Sequence, residues 1–346
     1  MHGKQNNISQ STGKNQPLVI GIDLGGTHYQ IGIVDHDGNI LGRSRGKTAE
    51  HGDPQNADEV VKRLAMGIDR AGQNANISLN NIQAIGIGAP SPIDPTFQIA
   101  LHAVNLGWKN YPLAERLQHE LSHNLNHPIP VTLDNDVNCA VWGEFILGAG
   151  RKNTSILGLW IGTGIGGGLV FNNQLFHGSR GTAGEIGRAV LYPDRNTDSW
   201  VYEDWASRKS IEQRIRNAIR QGEQSILSDK ILTKNEHQTN STISSAEIAS
   251  AVRENDPLTI KIVKHSARMT GIMAANACTL LSLDAIVIGG GIAEEMGETY
   301  TAWMRKSFNE AVFPTELRDC EIKVTQLREN AGLLGAALLA QERYKN

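Results

Sequence analysis

Two glycine-rich segments of the chain have the residue types that phosphate chemistry needs. Asp23-Leu24-Gly25-Gly26-Thr27 follows an apolar run, and residues 162–168 read Gly-Thr-Gly-Ile-Gly-Gly-Gly. Glycine lets backbone N–H groups approach a ligand closely. In the first segment Thr27 adds a hydroxyl, and the Asp23 carboxylate could hold a water on Mg²⁺. A plain glycine hairpin is the other interpretation of that segment.

The second segment formally contains the spacing Gly-x-Gly-x-x-Gly of dinucleotide-binding folds. That motif requires a helix directly after the glycines. Here Leu169-Val170-Phe171 and an Asn-Asn turn follow, which indicates a strand, so we reject a dinucleotide site. A strand, a glycine turn and a second strand still present backbone N–H groups to phosphate oxygens. The candidate contacts in this segment are Gly162, Thr163, Gly164, Gly166 and Gly167.

A third cluster, Gly289-Gly290-Gly291, ends a predicted strand and precedes a predicted helix. The N-terminus of a helix favours anions, so this turn suits a nucleotide. An ordinary connection between a strand and a helix explains the same pattern.

Composition narrows the classes of protein. The 346 residues include 33 basic and 36 acidic side chains, and the net charge of −3 argues against a nucleic-acid partner held by a basic face. Three scattered cysteines, Cys139, Cys278 and Cys320, argue against a disulfide framework or a zinc finger and suit a reducing cytoplasm. No apolar run reaches the ~18 residues of a membrane span, so we expect no membrane partner. Residues 1–16 are expected to be a disordered polar tail, not a signal peptide.

The order of the predicted elements indicates a doubled α/β architecture. Each half begins with an apolar strand, a glycine turn and a second strand that folds straight back, at 18–35 and at 155–171. We therefore expect two α/β domains of similar build with a ligand cleft between them. The other predicted elements are helices at about 54–73, 108–125, 138–147, 210–221, 245–254, 257–281, 296–311 and 331–344, strands at 39–45, 82–88, 129–133, 174–176, 284–288 and 321–327, and a polar loop at 222–240.

Together the motifs resemble those of the ROK family of bacterial sugar kinases, which belongs to the actin-like ATPases. The resemblance implies a two-domain actin-like ATPase (ribonuclease H-like) fold with an interdomain cleft. It implies a small domain of residues 17–134 plus the helix 331–346, and a larger domain of residues 135–330. The matching segments follow one another at 23–27, 86–90 (Gly-Ile-Gly-Ala-Pro), 105–108 (Asn-Leu-Gly-Trp), 134–138 (Asp-Asn-Asp-Val-Asn), 162–168, 184–187 (Gly-Glu-Ile-Gly) and 289–291.

The resemblance also implies roles for the matching residues. Asp136 should be the general base that accepts the proton of the attacking sugar hydroxyl, although a helix N-cap is the alternative from local pattern alone. Asn105, Asn135, Glu185 and Glu203 should hydrogen-bond sugar hydroxyls. ATP, with Mg²⁺ near Asp23, should lie on the three glycine motifs, whose matching residues are Gly25, Gly26, Thr27, Gly162, Thr163, Gly164, Gly166, Gly167, Gly289, Gly290 and Gly291.

The chain departs from the family pattern on the sugar side. Arg188 stands where the family has a histidine that binds a structural zinc, and the cysteine-rich segment that supplies the other ligands is replaced by residues 193–201. We therefore predict that the protein lacks the family zinc. Arg188 could contact the sugar or an anionic group, or form an ion pair with Glu185 or Glu203. Ser91 also replaces a family glycine.

The implied activity is ATP-dependent phosphorylation of a hexose, with glucose giving glucose 6-phosphate as the expected reaction. The alternatives are a kinase for another hexose, for N-acetylglucosamine or for N-acetylmannosamine, and a sugar-binding relative without catalysis. The family also contains sugar-responsive repressors, whose helix-turn-helix does not fit in the 17 residues before the first strand. Polyphosphate stays open as the donor. We expect a cytoplasmic homodimer or homotetramer without a nucleic-acid partner.

Overall fold

A computed structural model describes residues 17–49, 56–122, 125, 127–191, 200–232 and 242–344. The predicted tail at 1–16 and most of the segment that replaces the family's cysteines lie outside these residues. In chain order the strands and helices are β1 (Leu18–Leu24), β2 (His28–Val34), β3 (Ile40–Lys47), α1 (Ala57–Ala75), β4 (Ile82–Ala89), β5 (Ala100–Ala103), β6 (Trp108–Tyr111), α2 (Leu113–Leu121), β7 (Val131–Asn135), α3 (Asp136–Leu147), β8 (Ile156–Ile161), β9 (Ile165–Phe171), β10 (Gln174–Leu175), α4 (Glu203–Ala206), α5 (Arg208–Arg220), α6 (Ser228–Leu232), α7 (Ser245–Arg253), α8 (Pro257–Leu281), β11 (Ala285–Gly289), α9 (Gly291–Met296), α10 (Glu298–Ala311), β12 (Glu321–Val324) and α11 (Ala331–Arg343).

Two five-stranded sheets have the same topology. The first has the order β3-β2-β1-β4-β7 and the second the order β10-β9-β8-β11-β12. In each, the opening hairpin is antiparallel, and the strands added on its other side run parallel to the first strand. Parallel strands of one sheet end at the same edge, so loops that follow them meet there. This arrangement brings the predicted phosphate turns and Asp136 to the ends of strands.

Helices α3 and α11 lie between the two sheets. Leu333 and Ala337 of α11 pack on the first sheet, whereas Ala336 of the same helix and Val141 of α3 belong to a cluster with the second sheet. The two helices cross where a Cβ on Gly335 would lie 1.6 Å from the carbonyl oxygen of Cys139. Only glycine allows so close an approach. The crossing therefore fixes the position of α3. Asp136 is the first residue of this helix.

Three predicted elements were wrong in detail. The helix predicted over 108–125 begins only at Leu113, because β6 pairs antiparallel with β5 and Tyr111 precedes Pro112, a position that disfavours helix. The strand indicated by Leu169-Val170-Phe171 begins earlier, at Ile165, since β9 pairs with β8 along its whole length. The helix predicted over 296–311 breaks at Gly297, whose φ is 53°.

The helix predicted at 138–147 begins two residues earlier, at Asp136. Helices α4 and α6 have no predicted counterpart, and α6 lies in the predicted polar loop. No helix in the described part of the chain is both long and apolar enough to cross a membrane. The proposed domain boundaries at 134 and 331 stay predictions.

Candidate active site

The carboxylates of Asp23 and Asp136 lie close together at the edge where three parallel strands of the first sheet end. Asp23 of β1 lies beside Gly88 of β4, and Gly88 lies beside Asp134 of β7, so the three residues form one row across the sheet. Asp136 follows as the first residue of α3. A Cβ on Gly88 would lie 3.3 Å from the Cα of Asp136. This glycine therefore lets the first turn of α3 rest directly on the central strand, close to Asp23.

Burial raises the pKa of both carboxyl groups. Burial raises the pKa of Asp23 to about 6. Burial and then the negative charge of Asp23 raise the pKa of Asp136 to about 7, against the lowering effect of the Val137 N–H and the Asn135 side chain. A carboxyl group that titrates near neutrality can accept a proton from a substrate hydroxyl and release it afterwards. The geometry thus suits Asp136 as a general base.

Asn135, rather than Asp136, caps helix α3. Its Oδ1 accepts hydrogen bonds from the N–H groups of Val137 at 2.9 Å and Asn138 at 3.1 Å. Its Nδ2 lies 3.5 Å from the carbonyl oxygen of Ser91, a long contact. The cap occupies the acceptor atom of Asn135, so its amide donor is the atom left for a ligand. Ser91 itself is buried and accepts a hydrogen bond from the His102 N–H at 3.0 Å.

Asp134 anchors this segment, and sequence reasoning did not assign it a role. The side chain is only 2% exposed, and it accepts hydrogen bonds from Arg343 at 2.5 Å, His177 at 2.9 Å and Asn138 at 3.1 Å. Burial alone raises the pKa of Asp134, but the His177 hydrogen bond and the Arg343 charge lower it overall. The carboxylate is therefore ionised at neutral pH, two residues from the candidate base.

The partners of Asp134 come from distant parts of the chain. Arg343 belongs to α11 and also donates to the carbonyl oxygen of Leu133 at 2.8 Å. Its guanidinium lies 3.7 Å from the ring centroid of Phe97, which in turn contacts the His177 ring edge-on at 5.2 Å. No local sequence pattern predicts that these residues contact Asp134. The one available signal was a second acidic residue directly after the strand, in Asp-Asn-Asp.

The first glycine turn connects β1 to β2 near a predicted sugar residue. The N–H of Gly25 donates to the carbonyl oxygen of His28 at 2.9 Å, and Thr48 donates to the carbonyl oxygen of Gly25 at 2.7 Å. A Cβ on Gly26 would lie 3.3 Å from the Cβ of Asn105. Asn105 and Thr27 are exposed. The turn thus places the predicted phosphate and sugar residues side by side.

The second glycine turn is narrower than predicted, because Gly166 and Gly167 belong to β9 and pair with β8. Only Gly162, Thr163 and Gly164 form the turn. It is held by Arg208, whose guanidinium donates to Thr163 at 3.1 Å and whose N–H donates to the carbonyl oxygen of Gly162 at 2.9 Å. A Cβ on Gly166 would lie 2.5 Å from the Val137 side chain. The glycines of β9 therefore let this strand approach the start of α3.

Glu203 connects this turn to Arg188. Its Oε2 accepts a hydrogen bond from the Ile165 N–H at 2.7 Å, and its Oε1 lies 3.6 Å from Nη1 of Arg188. Arg188 is 67% exposed, so its guanidinium still has donors to offer. Glu185 is exposed and precedes Arg188 in one 3₁₀ turn. Glu203 is thus tied to the phosphate turn while it stands among the predicted sugar residues.

The third glycine cluster lies beside the second. Gly290 has a φ of +83°, and a Cβ there would lie 2.6 Å from the carbonyl oxygen of Ile161, the last residue of β8. A Cβ on Gly291, where α9 begins, would lie 2.5 Å from Oγ of Ser245. Both positions need glycine because a backbone or another helix occupies the space. The two glycine clusters therefore form neighbouring parts of one edge of the second sheet.

No group of three or more His, Cys, Asp or Glu side chains that could hold a metal ion occurs among the described residues. Residues 193–199, which form most of the segment in place of the family's cysteines, lie outside them. The predicted lack of the family zinc therefore stays a prediction.

Comparison with known proteins decides the family. The profile of the ROK family matches residues 19–343, which is almost the whole chain. The chain belongs to the ROK family. The match includes the glycine turns and both carboxylates of the site, and the predicted family is confirmed.

The match to a curated glucokinase spans nearly the full length of both proteins. A glucokinase from Streptomyces coelicolor is 29% identical over 330 residues, which span 94% of this chain and 98% of the relative. A xylose repressor from Caldicellulosiruptor bescii is 26% identical over 326 residues, but the match spans only 77% of that repressor. The ROK-family region is thus shared by kinases and by repressors that carry additional sequence.

Solved structures confirm the predicted fold. A ROK family glucokinase from Streptomyces griseus, in complex with glucose and AMPPNP, superposes with a TM-score of 0.78 at 28% identity, covering 94% of this chain and 99% of that one. A ROK hexokinase from Thermus thermophilus gives a TM-score of 0.74 at 26% identity, covering 95% and 99%. The chain has the α/β actin-like ATPase fold of these ROK sugar kinases.

Proposed function

We propose that this ROK-family protein is a kinase that transfers the γ-phosphoryl group of ATP to a hydroxyl group of glucose and forms glucose 6-phosphate. The observation that carries the proposal is the placement of Asp136, a carboxyl group with a pKa of about 7, beside Asp23 where the glycine turns lie close by. Glucokinases at 28–29% identity over nearly the full chain support glucose as the acceptor. The glucokinase bound to AMPPNP supports ATP as the donor.

Asp136 acts as the general base. As the bond from the sugar oxygen to phosphorus forms, the hydroxyl proton moves to the Asp136 carboxylate, which is ionised in about half of the molecules near pH 7. Asn135 holds the first turn of α3 through its cap, and Asp134 holds Asn138 of the same turn. The base therefore stands on a fixed scaffold. Its position does not depend on a mobile loop.

Asp23 fits a role beside a Mg²⁺ ion that enters with ATP. Two carboxylates that repel each other need a cation to be ionised together, and Mg²⁺ is bound by few protein carboxylates together with waters and substrate phosphates. The ion would neutralise phosphate charge during transfer. Gly332 gives Asp23 room, because a Cβ there would lie 3.0 Å from the Asp23 carboxyl carbon.

The glycine turns bind the phosphates and the nucleoside. The first turn consists of Gly25, Gly26 and Thr27, and the second consists of Gly162 to Gly164; both bind phosphate groups. The adenosine binds at the start of α9, at Gly291. Gly166 and Gly167 contribute through close packing, since each lies against another segment of backbone or side chain. Polyphosphate is the alternative donor for the same turns.

Sugar hydroxyls are recognised by amide and carboxylate groups along the same edge. Asn105 and the Nδ2 donor of Asn135 bind from the first sheet's side, and Glu185 and Glu203 accept hydrogen bonds from the other side. Arg188 lies beside Glu203 and orients its carboxylate. We further propose that the small domain comprises residues 17–134 and 331–346 and that it closes on the sugar to exclude water.

An ADP-release assay across several sugars tests the proposal. The set is glucose, N-acetylglucosamine, N-acetylmannosamine, mannose, fructose and allose, each with ATP or polyphosphate as donor. We expect the highest kcat/KM with glucose and ATP, and loss of at least about a thousandfold in kcat for Asp136→Asn with sugar binding retained. Asp37→Asn, an exposed acid in the β2–β3 turn, is the matched control. A near-normal kcat for Asp136→Asn refutes the base, and tight sugar binding without turnover on any sugar favours the non-catalytic alternative.

A further inference from the structure

A cleft between α8 and α10 lies outside the candidate active site. Its volume is about 440 Å³, within the range of small-molecule sites in proteins. The side chains that line it are Lys264, Arg268, Trp303, Lys306, Ser307 and Glu310. Close packing of the two helices forms its floor, since a Cβ on Gly271 would lie 2.4 Å from the carbonyl oxygen of Met304. The cleft therefore belongs to a rigid helix pair.

Positive charge in the cleft exceeds negative charge. Lys264, Arg268 and Lys306 face one carboxylate, that of Glu310. Among the ion pairs found within the described ranges, none includes these three cations. Neighbouring surface cations do form such pairs, for example Lys261 of the same helix with Glu223 at 3.9 Å. A protein that leaves three cations unneutralised around one cavity provides a site for an anion.

An aromatic ring forms one wall among these charges. The Lys264 ammonium lies 5.1 Å from the ring centroid of Trp303, a cation–π distance. Trp303 is only partly buried, so part of the indole faces the cavity. A flat apolar face beside cations suits a ligand that carries both an anionic group and a ring. Inorganic phosphate alone would leave this wall without a partner.

His265, next to Lys264 on α8, lies close to the same positive charges. The Nε2 atom of His265 is buried and has no hydrogen-bond partner. Burial, followed by the charges of Arg214 and Arg268, lowers the pKa of His265. His265 follows Lys264 on α8, and its ring contacts Trp205 edge-on at 5.3 Å. The cationic cluster therefore continues from the cleft toward α4.

We propose that the cleft binds a small phosphate ester, with its phosphate group held by Arg268, Lys306 and Lys264 and its ring against Trp303. Guanidinium and ammonium groups bind phosphate by charge-assisted hydrogen bonds. The ester is a hexose phosphate or an adenine nucleotide, which share this chemistry. The proposal does not depend on the kinase assignment, since binding is measured directly.

The cleft has a physical connection to the sugar side of the active site. The guanidinium of Arg214 lies over the ring of Trp205, 3.9 Å from the ring centroid. Trp205 follows Glu203 by two positions in α4. Tyr202, which precedes Glu203, donates to Thr270 of α8 at 2.9 Å, and Thr270 in turn contacts the Tyr300 hydroxyl of α10 at 2.9 Å. Hydrogen bonds therefore connect the helix pair that forms the cleft to the residue that precedes Glu203.

Calorimetric titration of the full chain with glucose 6-phosphate, AMP, inorganic phosphate and glucose tests the proposal. We expect an ester to bind with one more equivalent than the double variant Arg268→Ala/Lys306→Ala binds, and the variant to lose that equivalent or weaken it about tenfold or more. Glu310→Gln should tighten binding, because it removes the one acid of the cleft. Lys261→Ala/Lys209→Ala, at two exposed lysines outside the lining of the cleft, is the charge-matched control. Unchanged circular dichroism and Tm show that the variants are folded.

The outcomes separate the sources of the ester. Tighter binding of glucose 6-phosphate than of AMP, lost in the double variant, supports a sugar phosphate, and the reverse order supports a nucleotide. Equal binding of inorganic phosphate and the esters overturns the proposal, since the ring is then not recognised. So does unchanged binding in the double variant. A double variant that sediments as a smaller species than the wild type, with its ester binding unchanged, shows that a second copy covers this face and also overturns the proposal.

Discussion

The guanidinium of Arg343 lies 2.5 Å from Oδ2 of Asp134, so the last helix of the chain contacts the residue two positions before the candidate base. We expect Arg343→Met to lower kcat about tenfold or more, because Asp134 then stays as an unpaired buried charge and α3 loses its anchor. Thermal unfolding should show that the free energy of unfolding falls by about 3 kcal/mol. Arg343→Lys should restore part of kcat, and Arg70→Met, at an exposed position of α1, is the control. An unchanged kcat with lowered stability would show that Arg343 only supports the fold.

Activity should fall as the pH drops below neutrality. The free protein holds Asp136 with a pKa of about 7, so kcat/KM for MgATP should decrease about tenfold per unit well below that pH. A cation beside Asp23 favours the ionised form, so the midpoint of kcat/KM for glucose at saturating MgATP should lie lower. Rates across pH 5 to 9 provide both profiles. A rate that rises toward pH 5 would contradict a carboxylate base.

Asp136→Asn should stabilise the protein at neutral and alkaline pH. The folded pKa of about 7 exceeds the ordinary value of 3.8, so the folded state binds the proton more tightly than the unfolded state. Stability of the wild type therefore falls as the pH rises from about 4 to 7 and is constant above that range. The variant lacks this penalty. We expect its Tm to exceed that of the wild type by about 2–5 °C at pH 8 and to match it at pH 4. A variant Tm equal to the wild-type Tm at both pH values would indicate that folding does not raise the pKa of Asp136.

Gly290→Ala should raise the KM for ATP and destabilise the fold by about 1–3 kcal/mol. Two causes act together, the φ of +83° and the approach of a Cβ to within 2.6 Å of the Ile161 carbonyl oxygen. Gly222→Ala separates them, since Gly222 has a φ of +96° and nothing within 4 Å of an added Cβ. Steady-state kinetics and chemical unfolding measure both effects. Equal kinetic effects of the two variants would exclude a role of Gly290 in nucleotide binding.

Arg188→Ala should raise the KM for glucose several-fold and leave stability within about 1 kcal/mol, because its pair with Glu203 is largely exposed. The kcat should change less than the KM, since Arg188 orients a binding group and is not proposed to touch the transferred phosphoryl group. Arg151→Ala, at an exposed position after α3, is the control. A KM for glucose equal to that of the control variant would leave Arg188 without a role in sugar binding.

Local pattern predicted those parts of the fold that local interactions determine. Apolar runs and glycine turns located β1, β2 and β8, since strand length and turn chemistry are encoded within a few residues. The same reasoning misread 108–111 as helix, because the partner that makes β6 a strand is β5, which had no strong pattern of its own. Pairing between distant segments decided that element.

The candidate site divides in the same way. Motif order predicted Asp23, Asp136 and the glycine turns, whereas the cap formed by Asn135 and the ion pair of Asp134 are evident only in the folded structure. Arg343 lies more than two hundred positions from Asp134, and an arginine near the end of a buried, mostly apolar helix has no distinguishing pattern. Long-range ion pairs of this kind are outside the reach of local sequence reasoning.

Helix α11 has a consequence for the order in which the protein can be made. Leu333, Ala337 and Ala340 of this helix cover one face of the first sheet, and the helix begins nearly two hundred residues after β7, the last strand of that sheet. During synthesis, Val19 and Ala84 of the sheet therefore lack this cover until about 310 and about 250 further residues, respectively, have been added. A nascent chain stopped before residue 331 should be protease-sensitive in its first sheet and should recruit chaperones, while its second sheet has most of its own helices already in place.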